Sequence, residues 1–402
     1  MSDLKQSYDH VIVGGGVAAD KAARAIREED PDASVVILSD VGDGPLYRPG
    51  LSKDLWLKDG ATLEGLYLGT TDTGVQLALN TTVTAIHPGR HAITTADGED
   101  IGYRRLLLAT GAAPRRFDTP DDERIIYYRS ADDYRHLRSL VSEGTRVAVV
   151  GGGYIASELA AGLATAGARV SVHFPGRRLL EHMFPDSITG HLTEVYESRG
   201  VELDGGFRLA SVRTGERLVL VPESGEQVEA DVVVLGLGAV PDIRLAEAAG
   251  LEIADGGVLV DTVLATSAPD VYAAGDIATF TDPLLGRRRV EHIANAERSG
   301  ETAGRTMAGT CTEYRYTPLF YSDLFDDGYE AVGEARTDHE VVEVWNDAGD
   351  AAVLYYLRDD VVRGVLLWNT WDSVPKAREI MAASREGMLP TTELTGQITP
   401  GG

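Results

Sequence analysis

Two sets of small residues repeat at one spacing in this chain, and both match the chemistry of holding a diphosphate. Gly14, Gly16 and Ala19 lie in VIVGGGVAADKAA, with Gly15 between the two glycines; Gly151, Gly153 and Ala156 lie in VAVVGGGYIASELAA. In each set the first glycine permits the turn from strand into helix, the second lets backbone approach a pyrophosphate, and the third small residue lets the helix lie close on its strand. The anion then rests on the unpaired N–H groups and the positive dipole end of the helix. For one copy, a glycine-rich turn with no nucleotide is the alternative. Two copies in the same strand, turn and helix order make that coincidence a poor account. They point to two dinucleotides in one protein, with electrons passing from one to the other.

Each turn needs a strand before it and a helix after it. Apolar runs at 11–13 and 147–150 read as the strands. Ala19, Ala22, Ala23 and Ile26, and later Ala156, Leu159, Ala160 and Leu163, recur at helical spacing and form the faces that pack on the sheets. SVVILSD is a buried strand ending at Asp40, whose carboxylate suits a ribose diol; a solvated loop aspartate beside Asp43 is the alternative. Stretches 75–83 and 91–101 suggest an antiparallel excursion, after which RRLLLATGAAPR returns to a turn at Gly111. VVVLGLGAVPD is a strand ending in Gly236 and Gly238, and GGVLVDTVLATSAPDVYAAGD returns the chain to the first nucleotide domain. From about Tyr316, runs such as AAVLYYLRDD and VVRGVLLWN suggest an antiparallel sheet, followed by a helix over 374–383 and a poorly packed, flexible tail. The fold class is α/β: two Rossmann-like dinucleotide-binding domains plus a C-terminal α+β domain. The boundaries are 1–117 and 243–314 for the first nucleotide domain, 118–242 for the second, and 315–402 for the C-terminal domain.

A net charge of -26, from 63 acidic against 37 basic residues, repels nucleic acid and anionic lipid, so neither is expected as a partner. An acidic surface with few lysines fits a high-salt habitat or a biased genome. The single cysteine, Cys311, forms no intramolecular disulfide and is compatible with a reducing cytoplasm. The opening MSDLKQSYDH lacks a signal pattern and no apolar run approaches ~20 residues, so a cytoplasmic protein without a membrane span is expected, as monomer or homodimer. No residue set stands out as a metal site.

The motifs GPLYRPGLSKDLW, LLLATGAAPR, GGGYIASELA, VYAAGDIA, RRVEHIANA, LFYSDLFDDGYEAVG and GVLLWN together resemble the flavoprotein reductases with a glutathione-reductase-like fold. Within them the chain looks most like the branch of ferredoxin and rubredoxin reductases and apoptosis-inducing factor. The resemblance implies FAD at the first turn and NAD(P)H at the second. It assigns to FAD Gly14, Gly15, Gly16, Ala19 and Asp40, then Arg48 and Lys53 of the R-P-x-L-S-K motif. Val83, Ala109, Thr110, Gly111 and Arg115 follow, with Gly275 and Asp276 of Ala-Gly-Asp, Ile293, Tyr321 and Asp323. To the nicotinamide dinucleotide it assigns Gly151, Gly153, Tyr154, Ile155, Glu158, Arg177, Arg178, Gly236 and Gly238. Lys53 and Glu158 are implied as a buried ion pair near the flavin atom that receives the hydride, with Tyr154 an aromatic residue over the ring. The alternatives are a solvated loop lysine for Lys53, a helix-dipole carboxylate in a first turn for Glu158, and an aromatic packed between domains for Tyr154.

Disulfide reductases of this fold carry redox cysteines around positions 40–50, where this chain has VGDGPLYR. Electrons must leave the flavin without a thiol relay. Phe174 ends the second strand of the second unit where an NADH-selective acid usually stands, and Arg177 and Arg178 follow, as a 2'-phosphate favours. That pattern leans to NADPH, with a solvated arginine pair as the alternative. The function expected is reduction of a ferredoxin or rubredoxin by NAD(P)H, with a docking patch at Arg287, Arg288 and Arg289. An oxidase or diaphorase using oxygen or quinone, and a redox-sensing interaction protein, are the competing readings.

Overall fold

The computed structural model describes residues 4–402, so Met1, Ser2 and Asp3 of the opening segment lie outside the described residues. The chain forms two compact units, and each is assembled from separate stretches. The first takes the residues up to Tyr47, then Glu64–Ala113 and Val240–Pro318; the second takes Arg48–Leu63, Pro114–Ala239 and Leu319–Gly402. The first unit is left and re-entered twice.

The core of the first unit is a sheet of parallel strands in the order Gln76–Ala78, Val35–Leu38, Ser7–Val13, Asp100–Leu108 and Val271–Ala273. Val11, Ile12, Val36, Ile37, Leu106 and Leu107 are fully buried in it, as strands covered on both faces require. Stretch 75–83, read from sequence as one antiparallel piece, divides in two. Gln76–Ala78 joins the parallel sheet, whereas Val83–His87 pairs antiparallel with Ala92–Thr95. The helix Val17–Glu29 follows the first strand and packs on Ile293–Ala308. That contact is backbone-close: a Cβ on Gly300 would meet the Ala18 carbonyl oxygen at 2.4 Å, and one on Gly304 the Ala22 carbonyl oxygen at 2.4 Å.

The second unit repeats the plan. Parallel strands run in the order Glu202–Gly205, Arg169–Phe174, Arg146–Val150, Val232–Leu235 and Ile125–Ile126. A three-stranded antiparallel sheet packs beside them around Phe207, Leu218 and Leu220. The same unit carries a five-stranded antiparallel sheet, Leu319–Leu324, Asp327–Gly333, Val361–Trp368, Ala352–Arg358 and Glu340–Trp345, backed by the helix Val374–Arg385. The tail expected to be loose is packed: Leu394 and Ile398 are buried, and Gly401 N–H donates to Thr370 Oγ1 at 3.0 Å. Two apolar residues four apart in a polar tail are enough to pin it. Cys311 is exposed beyond the end of Ile293–Ala308. No helix among the described residues is long and apolar enough to cross a membrane.

His10, on the central strand Ser7–Val13, is 1 % exposed, and burial pulls its pKa down to about 4. The unfolded chain takes this proton near pH 6.5, whereas the folded chain refuses it until about pH 4. Stability therefore falls as pH drops through that window, by up to about 3 kcal/mol from this group. Urea midpoints of the wild type at pH 7.5 and 5 are expected to differ, and His10→Gln to reduce the difference; an unchanged difference refutes the assignment.

Candidate functional site

In the first unit the singled-out residues gather at the carboxyl ends of adjacent parallel strands. Gly14–Gly16 follow Ser7–Val13, Asp40 follows Val35–Leu38, Ala109–Gly111 follow Asp100–Leu108, and Gly275 and Asp276 follow Val271–Ala273. Ligands of open α/β sheets bind along that edge. Gly14 sits at φ +116°, and a Cβ on it would lie 2.1 Å from the Ala109 carbonyl oxygen, so only glycine makes this turn. Gly16 has open space around its Cβ position and caps the helix without any side-chain hydrogen bond. Its first N–H groups are left for an external acceptor. Ala19 is fully buried under the turn, and Asp40 is exposed at the rim. Thr110 Oγ1 donates to the Asp242 carbonyl at 2.6 Å, and Ser299 Oγ accepts from Gly275 N–H at 2.9 Å, which fixes the two neighbouring loops. Val83 is buried, and Ile293 opens its helix half-buried.

The turn of the second unit is built alike. Gly151 sits at φ +134° with the Gly236 carbonyl oxygen 2.3 Å from a Cβ position; Gly153 is open and leaves the helix Tyr154–Thr165 uncapped. Gly238 accepts Arg115 N–H at 2.9 Å. Phe174, in the place of the usual acid, is buried under the turn with its Cβ 3.1 Å from a Cβ position on Gly152. Arg177 Nη2 lies 2.6 Å from Asp186 Oδ1, and Arg178 Nη1 lies 3.5 Å from the same oxygen. Glu181 Oε2 accepts the N–H groups of both Arg177 and Arg178, at 2.9 and 3.1 Å. Ile155 and Tyr154 lie at the mouth of the turn. Tyr154 leaves about two fifths of its surface open while its hydroxyl is sunk on Met183 Sδ at 3.3 Å, and burial pushes its pKa up to about 12.

The same unit holds the charged pair. Lys53 is 4 % and Glu158 6 % exposed, with Lys53 Nζ 3.6 Å from Glu158 Oε1 and 4.6 Å from the centre of the Tyr321 ring. Glu158 is the fifth residue of its helix, past the first turn, so the helix-dipole account does not apply to it. Nor is Lys53 a solvated loop lysine. Two further contacts complete the cluster: Ser52 Oγ donates to Glu158 Oε2 at 2.5 Å and Ser322 Oγ to Oε1 at 2.5 Å. The Lys53 segment is anchored by the Leu51 carbonyl, which accepts from Trp56 Nε1 at 2.9 Å and Tyr128 Oη at 2.5 Å. Arg48 precedes the short helix Pro49–Ser52. Asp323 is exposed, because alternation along its strand turns it away from the face that carries Ser322.

Ser52, Ser322, Glu181 and Asp186 were not singled out in the sequence. Both serines sit beside chosen residues, Lys53 and Asp323, inside quoted motifs, and that adjacency was the only signal. At the expected arginine patch, Arg287 pairs with Asp255 at 2.8 Å, Arg288 lies 3.7 Å from Asp282, and Arg289 donates to the Asp276 carbonyl at 2.9 Å.

The residues fit two dinucleotides. Each unit offers an uncapped helix start above a glycine that nothing crowds, and Lys53 presents a buried ammonium whose hydrogens stand beyond hydrogen-bonding reach of Glu158. Residues 8–300 match the family described as pyridine nucleotide-disulphide oxidoreductase. The chain belongs to this family. It is 35% identical to the ferredoxin–NAD(+) reductase component of an anthranilate 1,2-dioxygenase system from Burkholderia cepacia, over 97% of each chain. It is 31% identical to a rubredoxin–NAD(+) reductase from Ectopseudomonas oleovorans, over 93% of this chain and 98% of that one. Its fold matches the crystal structure of a covalent putidaredoxin reductase–putidaredoxin complex with TM-score 0.85 at 26% identity, covering 96% and 94% of the two chains.

Removing one partner of a buried ion pair strands the other charge, at a cost of about 3–5 kcal/mol, while replacing both removes the stranded charge. Lys53→Met and Glu158→Gln are each expected to lower the urea midpoint, and the double variant to regain part of the loss. Strictly additive losses would contradict coupling between them.

Proposed function

We propose that this protein is a flavoprotein reductase that takes hydride from a nicotinamide dinucleotide and delivers electrons to a ferredoxin- or rubredoxin-type carrier. The observation that carries the reading is the pair of open, uncapped glycine turns, one in each unit, with the buried Lys53–Glu158 pair in the second. The turn at Gly14–Gly16, with Asp40 and Asp276 at the same sheet edge, holds FAD; the turn at Gly151–Gly153 holds the nicotinamide dinucleotide. When bound, FAD supplies a hydride acceptor that releases electrons singly. The Lys53 ammonium contributes positive charge and undirected hydrogens to the negative charge that hydride brings. Glu158 keeps that ammonium in place. Tyr154 stands at the mouth of the nicotinamide turn, where its ring covers the approach. The carrier is supported by the relatives, whose names specify ferredoxin and rubredoxin.

The coenzyme preference turns on Arg177 and Arg178. Their spacing suits the 2'-phosphate of NADPH, but Asp186 already engages both guanidinium groups and Glu181 occupies their backbone N–H groups. An incoming phosphate meets two carboxylates with the arginines, which supports NADH, the coenzyme of both named relatives. Asp186→Ala is expected to raise kcat/KM for NADPH over that for NADH by about 2–5-fold, as an exposed charge contact of this kind allows. A ratio unchanged from wild type would remove Asp186 from the account.

Anaerobic mixing with NADH or NADPH, followed in the visible spectrum and then by addition of a ferredoxin, a rubredoxin, quinone or air, tests the function. Flavin bleaching and rapid reoxidation by the iron–sulfur carrier are expected. Equal reoxidation by air alone would favour an oxidase; slow reoxidation by every acceptor would favour a redox sensor.

A further inference from the structure

We propose that Ser322 and Ser52 are positioning residues that hold Glu158 at a fixed distance from Lys53, so that the lysine's hydrogens stay uncommitted; this rests on the hydride-transfer reading above. Glu158 has two carboxylate oxygens, and each accepts one buried hydroxyl, Oε1 from Ser322 and Oε2 from Ser52, both at 2.5 Å. The donors come from different elements, the strand Leu319–Leu324 and the short helix Pro49–Ser52, so the carboxylate plane is pinned from two sides. Ser322 and Ser52 are both 2 % exposed, so water does not replace them readily.

The consequence lies in the distance. A lysine and a carboxylate free to meet close to about 2.7–2.9 Å, with hydrogens committed to oxygen. Here they stop at 3.6 Å, and the ammonium rests instead on the Tyr321 ring, 4.6 Å from its centre. Charge attraction keeps Lys53 in place, but none of its three hydrogens is spent on Glu158. Short hydroxyl contacts hold the carboxylate in its stead, one on each oxygen. Removing a hydroxyl frees the carboxylate to turn toward Nζ; the ammonium then closes on Glu158 and commits its hydrogens to it.

Ser322→Ala is therefore expected to retain FAD and an unchanged KM for NADH, to slow flavin reduction about 5–10-fold, the worth of one well-placed hydrogen bond, and to make the flavin midpoint potential more negative. Ser322→Thr, which keeps the hydroxyl, restores both rate and potential. A purely structural serine would lower the unfolding midpoint of the FAD-free protein and leave the potential alone. Rate and potential equal to wild type in Ser322→Ala, or equal losses in the Ala and Thr variants, overturn the proposal. If Ser322→Ala fails to retain FAD, Ser52→Ala against Ser52→Thr is read by the same criteria. Wild-type flavin that neither NADH nor NADPH reduces overturns the hydride-transfer reading and this proposal together; normal wild-type reduction with unaltered serine variants overturns this proposal alone.

Discussion

An ammonium and a carboxylate taken out of water together must find every compensating contact inside the protein, and Lys53 and Glu158 make that demand on the second unit. Much of the unit's local design answers it. The Leu51 carbonyl takes two buried donors, which locks the segment bearing Lys53. Trp56 lies so close to the helix of Glu158 that a Cβ on Gly162 would come within 2.6 Å of the Trp56 Cβ. Ser52 and Ser322 take up the carboxylate oxygens, and the Tyr321 ring carries the ammonium. The Tyr329 hydroxyl, fully enclosed near Glu158, has its pKa raised well above the usual tyrosine range, chiefly by burial.

The two turns show how little sequence an open, uncapped helix start needs. Gly14 and Gly151 share positive φ and the same close approach to a carbonyl of a neighbouring loop, Ala109 in one unit and Gly236 in the other. Their differences lie around the turn. The first is followed by the acid Asp40 at its sheet edge; the second has Phe174 buried beneath it and acids brought in later, Glu181 and Asp186. One construction thus recurs in two different surroundings.

The turns and their strands and helices were legible from spacing, because the constraints are local and each residue type has one steric reason to be there. Lys53 and Glu158 were legible only through resemblance, since nothing within a few residues of either names its partner. The serine contacts escaped because a hydroxyl in a strand or short helix has no distinctive pattern, and its role depends on which side chain tertiary packing brings opposite. Arg177 and Arg178 were visible as charges, but whether they were free depended on Asp186, which lies beyond the loop at the start of another helix. The division of stretch 75–83 and the packed tail were missed for a similar reason. Short apolar segments declare their pairing partner only in three dimensions.

The scattered origin of the second unit bears on how the protein is made. Ser52 and Glu158 are 106 positions apart and Glu158 and Ser322 a further 164, while the segment carrying Lys53 emerges between two stretches of the first unit. A chain leaving the ribosome exposes Lys53 long before the glutamate exists, and the glutamate long before its second hydroxyl. The charged cluster therefore closes only when the C-terminal sheet has been synthesised, so the nascent chain carries an unfinished cluster for most of its translation. The strand that bears Ser322 completes a cluster that Lys53 began.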